Sequence, residues 1–145
     1  MIGKNKYLPS YQFKLKKKPL VTILMNCYNE EKFITRSIES ALGQTYKNFE
    51  LLIWDDASKD NTRKIVQSFN DKRIKLFKNS KHLGLGASRC KAQNKINGDL
   101  VAILDADDVM ISDRIEKQVN EFIANKKLAL VGSWIKFKNT KGEII

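Results

Sequence analysis

Three carboxylates, those of Asp105, Asp107 and Asp108, directly follow an apolar segment at residues 100–104 that has the length of one strand. Such a segment predicts a central strand buried on both faces. In extended chain, alternate side chains point the same way, so Asp105 and Asp107 would face one spot and repel each other. A bound Mg²⁺ or Mn²⁺ would relieve that repulsion, with phosphates and water completing its coordination. The alternative is that these aspartates are turn and cap residues, but the preceding strand favours a site.

Length and charge indicate one globular domain with a basic extension. The chain has 145 residues, 42% of them hydrophobic, and a net charge of +11. Six lysines and no acidic residue precede Pro19, so we predict a basic arm at residues 1–18 and a domain at residues 19–145. The arm could contact anionic lipid, pack on the domain or extend into solvent. Nucleic-acid binding is disfavoured, because the arm's basic residues are not joined to a recognition motif.

Cysteine and histidine usage narrows the chemistry. Cys27 and Cys90 lack the spacing of a zinc site or a disulfide framework, and they predict reduced thiols in a cytoplasmic protein. His82 is the only histidine, which argues against histidine-based triads and histidine-rich metal sites. No apolar run has the length of a membrane span, and the N-terminal segment lacks the apolar core of a signal peptide.

Strand and helix patterns alternate along the chain and predict a three-layer α/β/α fold with a mostly parallel sheet. The predicted strands are at residues 20–25, 49–54, 73–78, 100–104 and 128–137. The predicted helices are at residues 31–44, after a start within 58–61, at 87–97, and after a cap at Ser112. Polar clusters follow three of the first four strands, at residues 26–30, 55–60 and 105–108. These clusters should meet at the sheet edge where ligands bind.

These clusters resemble the family 2 glycosyltransferases, which have the GT-A fold. The matching blocks are residues 21–30, 37–46 and 55–62, followed by 105–108 with 113–114. The resemblance covers roughly residues 19–138. It implies a nucleotide-diphospho-sugar-binding domain that serves inverting transfer of a sugar to an acceptor hydroxyl.

The resemblance assigns the nucleotide-sugar-binding residues by position. They are Asn26, Cys27, Tyr28, Glu30, Asp55, Asp56, Arg89, Asp105, Ala106 and Asp107. It implies that Asp56 hydrogen-bonds the base, typically uracil, while Asp55 supports the turn. It also implies that Asp105 approaches the ribose or the metal, that Asp107 binds Mn²⁺ or Mg²⁺, and that Arg89 lies near the nucleotide.

The resemblance also implies an acceptor half, which would contain the general base. We expect that base beyond residue 145 and therefore assign no catalytic residue here. The chain alone should bind nucleotide and metal but transfer sugar poorly. The acceptor would be a saccharide or a lipid-linked saccharide, in cell-surface polysaccharide synthesis. The setting would be cytoplasmic. Peripheral contact of the lysine-rich arm with the inner membrane face is a further option.

Two other functions stay open at this point. The chain could be a nucleotide-binding or interaction module without catalysis. The segment from Leu100 to Val109 also fits the haloacid-dehalogenase-type phosphatase pattern, with Asp105 as nucleophile. That pattern normally lies on the first strand of its family, whereas here it follows the fourth, which disfavours a phosphatase.

Overall fold

The computed structural model describes residues 15–137 and 143–144, and the predictions for residues 1–14 fall outside this range. Within it, four strands are described: β1 (Val21–Cys27), β2 (Phe49–Asp55), β3 (Ile74–Lys78) and β4 (Leu100–Ile103). They are parallel and form one sheet in the order β3-β2-β1-β4. The helices are α1 (Ile34–Leu42), α2 (Thr62–Ser68), α3 (Leu85–Gln93) and α4 (Arg114–Ala124).

Helices cover both faces of the two central strands, so every residue of β1 and β2 is buried. On one face, Ile38 of α1, Val66 of α2 and Ile115 of α4 join the main core. On the other face, Ala92 of α3 packs with Leu24 of β1 and its neighbours on β2. This arrangement confirms the predicted three-layer α/β/α fold with a parallel sheet.

The strand order reverses beside β1. The chain extends the sheet from β1 to β2 to β3, and then places β4 on the opposite side of β1. In open α/β sheets, ligands bind outside the carboxyl ends of the strands at such a reversal. The segments that follow β1 and β4 begin at Tyr28 and Leu104, and they therefore flank the expected crevice.

The prediction of a central, doubly buried strand at residues 100–104 is wrong. Within the described residues β4 is an edge strand, and Val101 and Ile103 are 47% and 42% exposed. These side chains lie on the face of the sheet that carries α3. They remain exposed because α3 packs over β1 and β2 rather than over β4. An apolar run of five residues cannot reveal whether one face or both are covered.

The strand predicted at residues 128–137 is also absent. The structure describes this segment without regular secondary structure, and Leu130, Trp134 and Phe137 are exposed. A strand needs a neighbour that accepts and donates its backbone hydrogen bonds, and no described strand lies beside this segment. Periodicity alone could not show this lack of a partner.

Three predicted helices differ from the observed ones by a few residues. Helix α3 spans Leu85–Gln93 rather than residues 87–97, so it ends before Gly98. Helix α1 begins at Ile34 rather than Glu31, because residues 31–33 form a turn. The N-cap position of α4 is Asp113 rather than Ser112, and its side chain makes no capping hydrogen bond.

Of the helices that the structure describes, none combines the length and the apolar composition that a membrane span requires.

A buried polar network joins the amino ends of the strands. Thr22 donates to the Glu50 carboxylate at 2.7 Å and accepts from the Gly98 N–H at 2.9 Å. Burial raises the pKa of Glu50, but hydrogen bonds from Thr22 and Asn97 outweigh it and leave that pKa below its ordinary value. The network fixes the entry of β4 against β1, and thereby the position of the loop that follows β4.

Candidate functional site

A cavity of about 290 Å³ lies at the carboxyl ends of the strands, close to the roughly 300 Å³ at which small-molecule sites begin. It is lined by Asn26, Cys27, Tyr28, Glu30, Asp56, His82, Leu85, Ser88, Asp105, Ala106 and Asp107. The structure thus brings together around one cavity eight of the ten residues assigned by resemblance. The two that do not line it are Asp55 and Arg89.

Asp55 and Arg89 adjoin cavity-lining residues, since Asp55 precedes Asp56 in the chain and Arg89 contacts Asp105. Asp55 is buried, and its Oδ1 accepts the Ser58 N–H at 2.9 Å within the loop after β2. Arg89 places Nη2 at 2.8 Å from Oδ1 of Asp105. Arg89 therefore reaches the site through a cavity-lining carboxylate.

Reciprocal hydrogen bonds join the loop after β1 to the loop after β2. Asn29 accepts from the Lys59 N–H at 2.8 Å, and its own N–H donates to Ser58 Oγ at 3.0 Å. The Glu30 N–H donates to Thr62 Oγ1 at 2.7 Å. Asn29 has a φ of 57°, a left-handed conformation that asparagine tolerates better than most residues. These bonds hold Tyr28 and Glu30 beside the second loop.

Helix α1 fixes the aspartate turn that follows β4. Ser37 Oγ lies 2.6 Å from the Ala106 carbonyl and 2.7 Å from that of Asp108. The Asp108 N–H donates to the Asp105 carbonyl at 3.1 Å, so this segment is a turn rather than extended chain. Asp105 and Asp107 both line the cavity as predicted, but the turn brings them there instead of strand alternation.

The Asp56 carboxylate is buried and fully hydrogen-bonded. Its oxygens accept from Asn79 Nδ2 at 2.6 Å and from the N–H groups of Leu83 and Gly84 at 2.9 and 2.7 Å. Burial raises the pKa of Asp56, but these hydrogen bonds outweigh it and leave the pKa below its ordinary value. Asp56 is therefore a fixed anion that organises the glycine-bearing loop before α3.

Sequence reasoning missed His82, Leu85 and Ser88 as cavity-lining residues. The His82 ring stacks on Tyr28 with centroids 3.9 Å apart, and its Nδ1 lies 2.9 Å from Asp56 Oδ2. The available signal was the glycine-bearing loop at residues 81–86, which indicated close approach to another group. Nothing in the local pattern indicated which side chain of that loop would turn inward.

Negative charge is concentrated at the mouth of the cavity. Burial raises the pKa of Glu30, and the nearby Asp107 and Asp60 carboxylates raise it further. Burial also raises the pKa of Asp108, with added repulsion from Asp107 and Asp105. A divalent cation would offset this crowding.

A metal at this mouth would need ligands from outside the protein. Among the described residues, no three His, Cys, Asp or Glu side chains come together as a metal-binding group. Asp105 also shares one oxygen with Arg89. Sites that hold Mg²⁺ with substrate phosphates commonly use only one or two carboxylates, and Asp105 with Asp107 fits that pattern.

Asn26 has unused hydrogen-bonding capacity. Its side chain lines the cavity and is buried, yet neither its amide nitrogen nor its oxygen has a partner in the structure. Buried amides normally have hydrogen-bond partners, so this one is suited to a polar ligand. The adjacent Cys27 thiol instead donates to the Trp54 carbonyl at 3.8 Å, and burial raises its pKa well above its ordinary value. Cys27 is thus a wall residue rather than a nucleophile.

The comparisons with known proteins agree on one family. The model of "Glycosyl transferase family 2" matches residues 22–144. The chain is 42% identical over 115 residues to the Escherichia coli UDP-Glc:alpha-D-GlcNAc-diphosphoundecaprenol beta-1,3-glucosyltransferase WfgD, covering 79% of this chain and 46% of that protein. The chain spans about half the length of the curated relatives it matches.

Solved structures share the fold. Staphylococcus aureus TarS 1–349 in complex with UDP-GlcNAc superposes with a TM-score of 0.69 at 26% identity, covering 72% of this chain and 31% of that one. The Pyrobaculum calidifontis mannosyltransferase PcManGT, in complex with GDP-Man and Mn²⁺, gives 0.66 at 24% identity, covering 74% and 33%. The latter similarity shows the fold alone.

Proposed function

Because the chain belongs to glycosyl transferase family 2, we propose that its cavity binds a UDP-sugar and a divalent metal ion for inverting transfer of the sugar. The observation that carries this proposal is the convergence of Tyr28, Asp56 and Asp107, from three separate loops, on one cavity. Tyr28 and Asp56 suit a nucleobase, while Asp107 suits a metal-bound diphosphate. The choice of UDP follows WfgD, whose name specifies UDP-Glc, and TarS, which was solved with UDP-GlcNAc.

The base would bind between Tyr28 and Asp56. Uracil offers a flat face for stacking and one N–H group that a carboxylate can accept. Asp56 is suited to that contact because its neighbours hold it rigidly and charged. The unpaired amide of Asn26 can both donate to and accept from polar groups of the nucleotide.

The diphosphate would lie toward the acidic mouth. Four carboxylates line the cavity, so an anionic diphosphate would be repelled there unless a cation lay between them. Asp107, together with the Asp105 oxygen not engaged by Arg89, would hold Mn²⁺ or Mg²⁺. When bound, such an ion supplies Lewis-acid stabilisation of the departing nucleoside diphosphate.

In the proposed reaction, the acceptor oxygen bonds to the anomeric carbon as the bond from that carbon to the phosphate oxygen breaks. The acceptor proton passes to a general base, which is not among the residues assigned to this cavity. The proposal also includes three further parts. The acceptor is a saccharide or a lipid-linked saccharide, the process is polysaccharide synthesis, and residues 1–18 contact a membrane.

The metal part of this proposal predicts a specific loss in Asp107→Asn. Calorimetric titration of the wild-type protein with UDP should give at least about tenfold tighter binding with Mn²⁺ than without it. Asp107→Asn should bind UDP equally with and without Mn²⁺, because it lacks the charge that retains the ion. Glu121→Gln removes one exposed acidic charge on α4 and should behave as wild type.

Two results would count against this part of the proposal. Full Mn²⁺ enhancement in Asp107→Asn would mean that the ion binds elsewhere. Failure of the folded wild-type protein to bind UDP in either condition would remove the donor site altogether.

A further inference from the structure

We propose that His82 occupies the base-binding end of the cavity in the nucleotide-free protein and is exchanged for the nucleobase when the nucleotide binds. This inference rests on the proposed function, in which the base binds between Tyr28 and Asp56. It assigns His82 a role in nucleotide binding at a position that neither the family motifs nor the comparisons single out.

The His82 ring already makes the two contacts expected of a pyrimidine base. It stacks on Tyr28, with ring centroids 3.9 Å apart and planes inclined by 30°. Its Nδ1 lies 2.9 Å from Asp56 Oδ2, within hydrogen-bonding distance of that carboxylate. A flat ring therefore covers the tyrosine face and places a nitrogen against the carboxylate at the same time.

The hydrogen-bonding capacity of Asp56 makes the exchange necessary. A carboxylate has about four lone-pair positions. Oδ1 accepts from Asn79, the Leu83 N–H is shared between Oδ1 and Oδ2, and Oδ2 also accepts from the Gly84 N–H. The Ser88 side chain hydrogen-bonds the carboxylate as well, and His82 Nδ1 lies against Oδ2. A base N–H can join this crowded set only by replacing one of these partners.

His82 is the partner that can leave. Asn79 is buried, and the N–H groups of Leu83 and Gly84 belong to the backbone of the loop. The His82 side chain is 51% exposed, so it can rotate toward solvent. The loop backbone would remain attached to Asp56 through Leu83 and Gly84, and the exchange therefore requires only a side-chain movement.

Removal of the His82 side chain tests this exchange. His82→Ala should bind UDP about fivefold more tightly than the wild-type protein in saturating Mg²⁺, because the base no longer displaces a ring. Pyrophosphate has no base and should bind both proteins equally. Lys81→Ala alters an exposed neighbour in the same loop that does not line the cavity, and it should match the wild type with both ligands.

The wild-type protein supplies a second measurement, because His82 is the only histidine in the chain. Its imidazole protons give one unambiguous set of NMR signals. Nuclear Overhauser contacts between the His82 and Tyr28 rings should be present in the free protein and disappear at saturating UDP. Saturating pyrophosphate should leave these contacts unchanged.

Every other outcome of these two measurements contradicts one of the two proposals. Equal or weaker UDP binding by His82→Ala, or ring contacts that persist in the UDP complex, would overturn the exchange while leaving the donor site intact. Failure of both proteins to bind UDP would overturn the proposed function, and the exchange with it.

Discussion

Asp56→Ala is expected to abolish measurable UDP binding and to lower the free energy of unfolding by about 2–4 kcal/mol. Asp56 is 3% exposed, and its carboxylate accepts hydrogen bonds from Asn79, Leu83 and Gly84. Alanine would leave these donors without their acceptor and release the loop before α3. Binding would fail as well, because the proposed partner of the base is lost. Urea unfolding and calorimetric titration measure the two effects.

A surface aspartate provides the matched control for stability. Asp113 pairs with Lys117 at 2.7 Å across one helical turn, and Asp113→Ala should cost no more than about 0.5 kcal/mol. The account of Asp56 would be wrong if Asp56→Ala unfolded at the same urea concentration as Asp113→Ala. It would be wrong in its functional part if Asp56→Ala bound UDP like the wild type.

The low pKa of Asp56 adds a pH dependence to this comparison. A carboxyl group whose pKa is lower in the folded than in the unfolded state stabilises the fold above its unfolded value and loses that effect as pH falls. The ordinary value for Asp56 is 3.8, and the folded pKa lies below it. The stability difference between wild type and Asp56→Asn should therefore be constant near neutral pH and shrink below about pH 4. A difference that grows as the solution is acidified would contradict the assignment.

Gly98→Ala is expected to destabilise the protein by about 3 kcal/mol or more, or to prevent folding. A Cβ atom on Gly98 would lie 2.5 Å from the Thr22 backbone nitrogen and 2.7 Å from the Leu100 carbonyl oxygen. Both are backbone atoms of adjacent strands, so no side-chain rotation can relieve the contact. The Thr22 hydroxyl that connects Gly98 to Glu50 would also be pushed away. Thermal unfolding measured by circular dichroism would show the loss.

Gly86→Ala is the matched substitution for this prediction. Gly86 lies in α3, and a Cβ atom there meets nothing within 4 Å. Alanine favours helix over glycine by about 1 kcal/mol, so Gly86→Ala should raise the melting temperature slightly. Equal melting temperatures for the two variants would show that the strands separate easily at Gly98.

The order of strands and helices and the edge of the sheet that carries the site were both predictable from the sequence. Apolar runs that end in polar clusters indicated parallel strands, and parallel strands place their carboxyl ends at one edge. Burial of individual strands was not predictable, because the apolar run at residues 100–104 occupies an edge where Val101 and Ile103 remain exposed. Residues 128–137 have the composition of a strand but no described neighbour to pair with.

The side chains that complete the site depend on contacts distant in sequence. Asn79 reaches Asp56 across 23 residues, and Ser37 reaches the aspartate turn across 69. His82 contacts Asp56 from a loop whose only recognisable feature in the sequence was its glycines. Such contacts follow from how the strands are ordered, which the local pattern of each segment does not contain.

The most direct test of the central claim is a crystal structure of the protein grown with UDP and Mn²⁺. The account predicts the uracil ring against Tyr28 with an N–H directed at Asp56, the diphosphate toward Asp107, and an anomalous manganese peak beside that carboxylate. UDP bound outside this cavity, or a manganese peak remote from Asp107 and the diphosphate, would contradict it.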